Sequence, residues 1–222
     1  MTGWFQGTGE IFAAVAAGDS WMLSEAMRAP GVWPLGLLAM LALSLVILVL
    51  YRIVPWAERN FEQTLMVISY LAIGGIIFVE VIRRFVFELQ APWSTTLPPF
   101  LFLIMTWFGC SLNVKLRTHL AFAEFRSNMP RGGQMACLLL DALLWIGFSW
   151  VVVVTAGKVA ANSAANFQIM LGTNNVMQWW FLLSVPLAFT TLVARVIENL
   201  VTDIKNFRRG KTLITQAVIG GD

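Results

Sequence analysis

Apolar residues gather along this chain in five long blocks that do not alternate with polar ones. The blocks cover residues 34–54, 61–82, 97–114, 135–157 and 176–194. The first is charge-free from Pro34 to Tyr51 and the second from Gln63 to Val79. The third lies inside a charge-free stretch that begins at Leu89, and the fourth contains one acid, Asp141. A helix rises about 1.5 Å per residue and the hydrocarbon core is about 30 Å thick, so about 20 residues make one crossing. Continuous apolar runs lack the period of two that barrel strands show, and lipid forbids an open strand. The pattern predicts an all-α integral membrane protein, a bundle of about five transmembrane helices with interfacial amphipathic helices beside it.

The remaining segments are short. Residues 1–33 carry Glu10 and Asp19, lack a basic start, and hold only a brief apolar run at 11–17. They read as an amphipathic segment lying on the membrane surface and not as a cleavable signal peptide. Residues 119–129 (HLAFAEFRSNM) mix apolar and charged positions at helical spacing and predict a second interfacial helix. Pro130-Arg131-Gly132-Gly133 is expected to close it.

Composition agrees with the pattern. Of 222 residues, 58% are hydrophobic and 12% charged, about half the charged share of a soluble chain. This excludes disorder, disulfide-built secreted scaffolds and nucleic-acid modules. The net charge of +3 rests on basic residues placed between apolar runs, so it marks sidedness and not a polyanion partner. Arg52 and Arg59 follow the first block; Lys115, Arg117, Arg126 and Arg131 follow the third; Arg195, Lys205, Arg208, Arg209 and Lys211 follow the fifth. Only Arg28, Arg83, Arg84 and Lys158 fall on the other face. The positive-inside rule then places the C-terminus, with a tail at 210–222, in the cytoplasm and the N-terminus outside. Trp33, Trp56, Trp93, Trp179 and Trp180 stand near block ends, where interfacial rings belong.

Candidate chemistry is sparse. Glu80 precedes Arg83 and Arg84 by three and four residues, a spacing that lets them pair on a helix, and an ionisable cluster inside a span is a candidate contact site. Asp141 is expected to make a polar contact to a neighbouring helix or subunit. Lys158 sits at a block end and reads as an interfacial anchor. His119, the one histidine, follows Arg117 in a basic link and cannot by itself build a bis-histidine haem. Cys110 and Cys137 suit packing, and Gly74, Gly75 and Gly109 suit close helix contacts. No phosphate-binding glycine loop, HExxH or GxSxG is present.

One ordered set of residues does carry a resemblance. Phe61-Glu62 opens a span that ends in Arg84-Phe85-Val86-Phe87; Pro92-Trp93-Ser94 follows, then Trp107-Phe108-Gly109 and Arg117-Thr118-His119. In order and approximate spacing this resembles the small membrane subunit of tripartite ATP-independent periplasmic (TRAP) transporters, the DctQ-like family, over residues 61–209, although the Trp107-to-Gly109 and Arg117-to-His119 spacings are shorter than the family pattern. Thr95-Thr96 stands where the family often has acids, and residues 1–33 and the span at 34–54 are extra to a four-helix family core. The resemblance implies a non-enzymatic scaffold in a bacterial inner membrane. Its implied partners are a large permease (DctM-like), a periplasmic solute-binding protein and membrane lipids. No cofactor is implied; sodium and substrate, an organic acid such as a carboxylate or sulfonate, would be handled by the large permease, and a lipid could sit at the subunit seam. The alternative class is a membrane anchor for a redox or other enzyme complex.

Under this topology the outward stretches are 83–96 and 158–175. Arg83, Arg84, Glu88 and Trp93, with the amides Asn162, Asn166, Gln168, Asn174 and Asn175, are the candidate contacts for a partner subunit or binding protein. Glu80, Trp107, Gly109, Arg117, His119 and Asp141 are the candidate structural residues. A reporter fused after Asp222 is expected to read as cytoplasmic and one before Trp4 as periplasmic. A cytoplasmic reading at Trp4 would mean that residues 34–54 do not cross.

Overall fold

The computed structural model describes residues 6–117, 126 and 128–213. Eight helices are described: α1 Thr8–Ala17, α2 Ser20–Ala26, α3 Val32–Ile53, α4 Pro55–Val86, α5 Trp93–Leu116, α6 Arg131–Ala165, α7 Trp179–Leu182 and α8 Ser184–Arg208. Five helical runs are long and apolar enough to cross a membrane: α3, α4, α5, α6, and α7 taken with α8. The chain is thus an all-α membrane bundle. Most of the predicted interfacial helix at 119–129 lies outside the described residues.

Local chemistry sets the helix ends. Pro55 opens α4, where a missing N–H costs nothing and a fixed φ suits the first turn. At the other end of α4, Glu88 takes a left-handed φ of 55°, and the Leu89 N–H turns back to the Arg83 carbonyl at 3.1 Å. Pro130-Arg131-Gly132-Gly133, expected to close the preceding helix, also opens the next one. Pro130 precedes the first residue of α6, so the two glycines fall in the first turn, whose N–H groups need no helical acceptor. The helix therefore runs from Arg131 for 35 residues, about 50 Å, and projects beyond the hydrocarbon. The fifth block likewise continues past Ala194 as far as Arg208.

The five spans run up and down between two ends. One, the basic end, carries the α3–α4 turn, the C-terminus of α5 and the C-terminus of α8. The other carries α1, α2, the α4–α5 turn and the loop between α6 and α7. Helix α8 is the central element, touching α3, α5 and α6, and is the most buried span. Phe189, Leu192 and Val196 of α8 form the core with Val114 and Ala142. The Phe189 ring lies 4.9 Å from that of Trp107 and 5.7 Å from that of Phe148.

Between helices, small polar residues replace bulk. Ser44, Ser111 and Ser149 are fully buried, and the Ser44 hydroxyl reaches the Thr190 carbonyl of α8 at 3.0 Å. Such side chains let backbones approach where lipid offers no hydrophobic drive to association. Helix α3 also docks on α6. The Trp150 indole donates to the Trp33 carbonyl at 2.8 Å, and the two rings meet edge to face. Gly36 allows this approach, since a Cβ there would stand 2.4 Å from Val154 Cγ2. Gly36→Leu is expected to cost about 1–3 kcal/mol by overpacking and to lower the melting temperature in detergent. Adding Val154→Ala should recover part of that loss. An unchanged melting temperature for Gly36→Leu would show that this contact does not hold α3.

Candidate functional site

At the basic end four helices meet on one buried ion pair. Glu62 of α4 and Arg195 of α8 are 0% and 1% exposed. Arg195 Nε donates to Glu62 Oε1 at 2.7 Å and Nη2 to Oε2 at 3.2 Å, a bidentate geometry that suits guanidinium and carboxylate. Nη2 also donates to the Glu58 carbonyl at 2.6 Å, and Nη1 to Glu198 Oε2 at 2.9 Å. From α3, the Tyr51 hydroxyl donates to Glu62 Oε1 at 3.1 Å, and its ring lies 4.1 Å from the guanidinium carbon of Arg195. From α5, Lys115 Nζ stands 4.0 Å from Glu62 Oε2 and donates to the Arg59 and Glu58 carbonyls. All three guanidinium nitrogens and both carboxylate oxygens of the pair are thereby engaged.

A second pair lies further along α8. Arg117, the left-handed cap of α5, donates to Asp203 Oδ1 at 2.8 Å and to the Asn199 carbonyl at 3.3 Å. Asn199 Nδ2 donates in turn to the Val114 carbonyl at 2.9 Å. Asp141 of α6 is held by Arg126, through Nη1 to Oδ2 and through Nη2 to Oδ1 at 3.0 Å. Gly109 packs on α4 with its Cβ position 3.4 Å from Met66 Sδ, and Trp107 lies in the core. His119 lies outside the described residues.

The opposite end presents a composite face. Residues 168–178 form a small hairpin, with Ile169 bridged to Met177, Met170 N–H donating to the Val176 carbonyl at 2.8 Å, and Gln178 N–H donating to the Gln168 carbonyl at 2.9 Å. Gly172, at the hairpin tip with φ 77°, lies against Pro92 and Trp93 so closely that a Cβ would meet Trp93 N at 2.6 Å. Thr96 Oγ1 donates to the Leu171 carbonyl at 3.0 Å. The stretches 83–96 and 158–175 thus become one surface, with Trp93 half-buried at the seam. Asn162, Asn166, Gln168, Asn174, Asn175, Arg84 and Glu88 are exposed on it. Asn166 Nδ2 donates back to the Asn162 carbonyl at 2.8 Å.

Glu80 does something other than its spacing suggested. Its Oε1 accepts from the Ala91 N–H at 3.1 Å, which fastens the α4–α5 turn. Glu80 Oε2 and Arg83 Nε are buried with no hydrogen-bond partner among the described residues. The carboxylate is turned toward the returning backbone and not along the helix toward Arg83.

Against known proteins, residues 73–206 match the family model described as tripartite ATP-independent periplasmic transporters, DctQ component. The chain belongs to the DctQ family. A relative, the sialic acid TRAP transporter small permease protein SiaQ of Vibrio cholerae serotype O1, is 23% identical over 164 residues. That alignment covers 72% of this chain and 92% of the relative. Family membership makes this DctQ-family chain a small permease component of a TRAP transporter and a multi-pass membrane protein; it does not favour the enzyme-anchor reading.

The family match begins inside α4, at Ile73. Glu62 and Tyr51 therefore lie ahead of the matched stretch and Arg195 within it; the pair joins the first half of α4 to α8 and, through Tyr51, brings in α3. Sequence reading missed both partners, placing Glu62 in a family motif and Arg195 among the tail cations. The available signal was that Arg195, Glu198, Asn199 and Asp203 recur on one helical face beyond the apolar run. Breaking a buried pair from one side costs about 3–5 kcal/mol, because the other charge is left unpaired. Arg195→Met should therefore strongly reduce the folded yield and melting temperature. The double variant Glu62→Gln with Arg195→Met should recover most of the loss. A double variant as damaged as the single one would mean that the pair is not the linchpin.

Proposed function

We propose that this chain is the scaffolding subunit of a TRAP-type importer, working without catalysis beside a large permease and a periplasmic solute-binding protein. The carrier takes up an organic acid, carboxylate or sulfonate, on a sodium gradient, with the substrate and sodium sites in the large permease. The observation that carries the reading is the closed ion network around Arg195. Its charges are committed to joining α3, α4, α5 and α8, which suits a body that stays fixed while another subunit moves.

Orientation follows from the basic end. It gathers Arg52, Arg59, Lys115, Arg117, Lys205, Arg208 and Arg209, and the positive-inside rule turns it to the cytoplasm of a bacterial inner membrane. The hairpin and the Trp93 seam then face the periplasm. Their amides suit a transient, wet contact in which hydrogen bonds form and break at little desolvation cost, and Arg84 and Glu88 would steer an approaching partner. The sialic acid in the relative's name is an organic acid and agrees with the proposed substrate class.

The large permease finds its place along α4. This is the least buried span, and among the described residues nothing lies within 4 Å of the Cβ positions of Gly74 and Gly75. Small residues on an open transmembrane face are where another helix packs closely. Lipid would fill the seam left beside it.

Affinity purification in mild detergent, with mass identification, should recover a large permease with this chain. In the reconstituted complex, Arg84→Glu should raise the binding-protein concentration needed for half-maximal uptake while the permease still co-purifies. Loss of co-purification would assign Arg84 to folding and remove the docking role. Recovery of a flavoprotein or iron–sulfur subunit in place of a permease would overturn the whole reading.

A further inference from the structure

The N-terminal helices pose a solvent problem. Helix α1 is a ten-residue helix whose only charge is Glu10, in its first turn. Ile11 and Ala14 are buried against the bundle, yet the outer side is apolar as well: Phe12 is 64% and Val15 61% exposed, with Ala13 and Ala16 between and beside them. A helix apolar all round and covered on one side only calls for an apolar medium on the other. At about 15 Å it is too short to cross a bilayer.

Its neighbours fix its depth. Ile11 shares an apolar cluster with Ala26, Val32 and Val154, and Trp150 packs at the edge. Val154 and Trp150 lie four and eight residues before Lys158 on α6, about 6 and 12 Å along the helix. Lys158 Nζ sits 5.2 Å from the centre of the Trp33 ring, an ammonium–aromatic contact suited to the headgroup boundary. The α1 contact therefore lies inward of that boundary. Its exposed side continues the lipid-facing surface of α3, where Leu38, Leu43 and Val46 are exposed, and of α6, where Phe148 and Val151 are. The polar groups stand on α2. Asp19 caps its start, accepting from Trp21 N at 2.8 Å and Met22 N at 3.2 Å, and Glu25 pairs with Arg28 at 3.3 Å.

We propose that α1 lies within the acyl chains of the leaflet at this end, its Phe12–Val15 side in contact with lipid, while α2 returns along the headgroups. Residues 6–31 are then a membrane-embedded flange on the bundle. The docking reading of the outer face is not needed for this; the multi-pass family assignment is. The left-handed glycines Gly7 and Gly18 bound α1 and let the chain enter and leave the apolar layer within a short span.

The test uses the full chain with its co-purified partners in lipid nanodiscs. Single labels enter by Phe12→Cys or Val15→Cys in a background carrying Cys110→Ala and Cys137→Ala. Spin labels at both positions should collide with oxygen and be shielded from a water-soluble nickel chelate, as a label from Leu43→Cys on α3 should be. A label from Asn162→Cys should show the opposite. The unsubstituted protein gives a second readout. A lipid-soluble photoactivated carbene should modify peptides covering residues 12–22 as it modifies those of α3. Nickel access at Phe12 equal to that at Asn162 would place α1 in water and overturn the proposal. Exclusion of both oxygen and nickel would place α1 under a partner protein and overturn it equally, as would an unmodified 12–22 peptide.

Discussion

A charge inside an apolar bundle must meet its opposite, and the Glu62–Arg195 pair is where this fold answers that demand. Neither group is reached by solvent, and each would be costly alone. Pairing them fixes the register of α4 against α8. The spare acceptors of Glu62 then draw in Tyr51 and Lys115, and with them α3 and α5. Directional bonds matter here because the side chains outside the bundle are as apolar as lipid, so hydrophobic burial barely distinguishes one helix pairing from another. The core around Phe189 supplies contact, whereas the ion network supplies orientation. Arg117–Asp203 repeats the device about two turns further along α8.

The existence of the five spans was legible because lipid demands long, charge-poor runs, and that demand is local in sequence. Their ends were less so. The fourth apolar block begins only at Met135, but Pro130 sets the helix start at Arg131 and places Gly132-Gly133 in its first turn. The extension of α8 beyond Ala194 is amphipathic, and a search for continuous apolarity stops where a polar inner stripe begins. Glu62 and Arg195 are 133 positions apart, so no spacing rule joins them. Glu80 misled for the reverse reason: its neighbours in sequence are cations, but the Ala91 N–H arrives from a turn whose geometry is set by Glu88 and the Trp93 seam. The stretches at 83–96 and 158–175 each stand out in the sequence for their place at the end away from most of the cations. That they form one surface depends on Gly172 fitting against Pro92, a contact without a sequence pattern.

Helix α3 shows how a helix ahead of the matched stretch becomes part of the bundle. It stands ahead of the family match, yet it supplies Tyr51 to the ion pair, Ser44 to the Thr190 carbonyl, and the Trp33–Trp150 contact on α6. These links run the length of the helix, so α3 is bound at both ends and the middle. It also covers the flank of α8 that would otherwise face lipid, leaving α4 as the most open span. The bundle is therefore strongly asymmetric: one flank is closed by the chain's own N-terminal helices, and the other keeps its glycines bare. For the scaffold role proposed above, a single open flank is what a neighbouring subunit requires. A bundle with two equally open flanks would offer two docking faces, and nothing in its packing would select between them. Helix α3 closes its flank with van der Waals contact and three hydrogen bonds, and its one charge, Arg52, stands in its last turn.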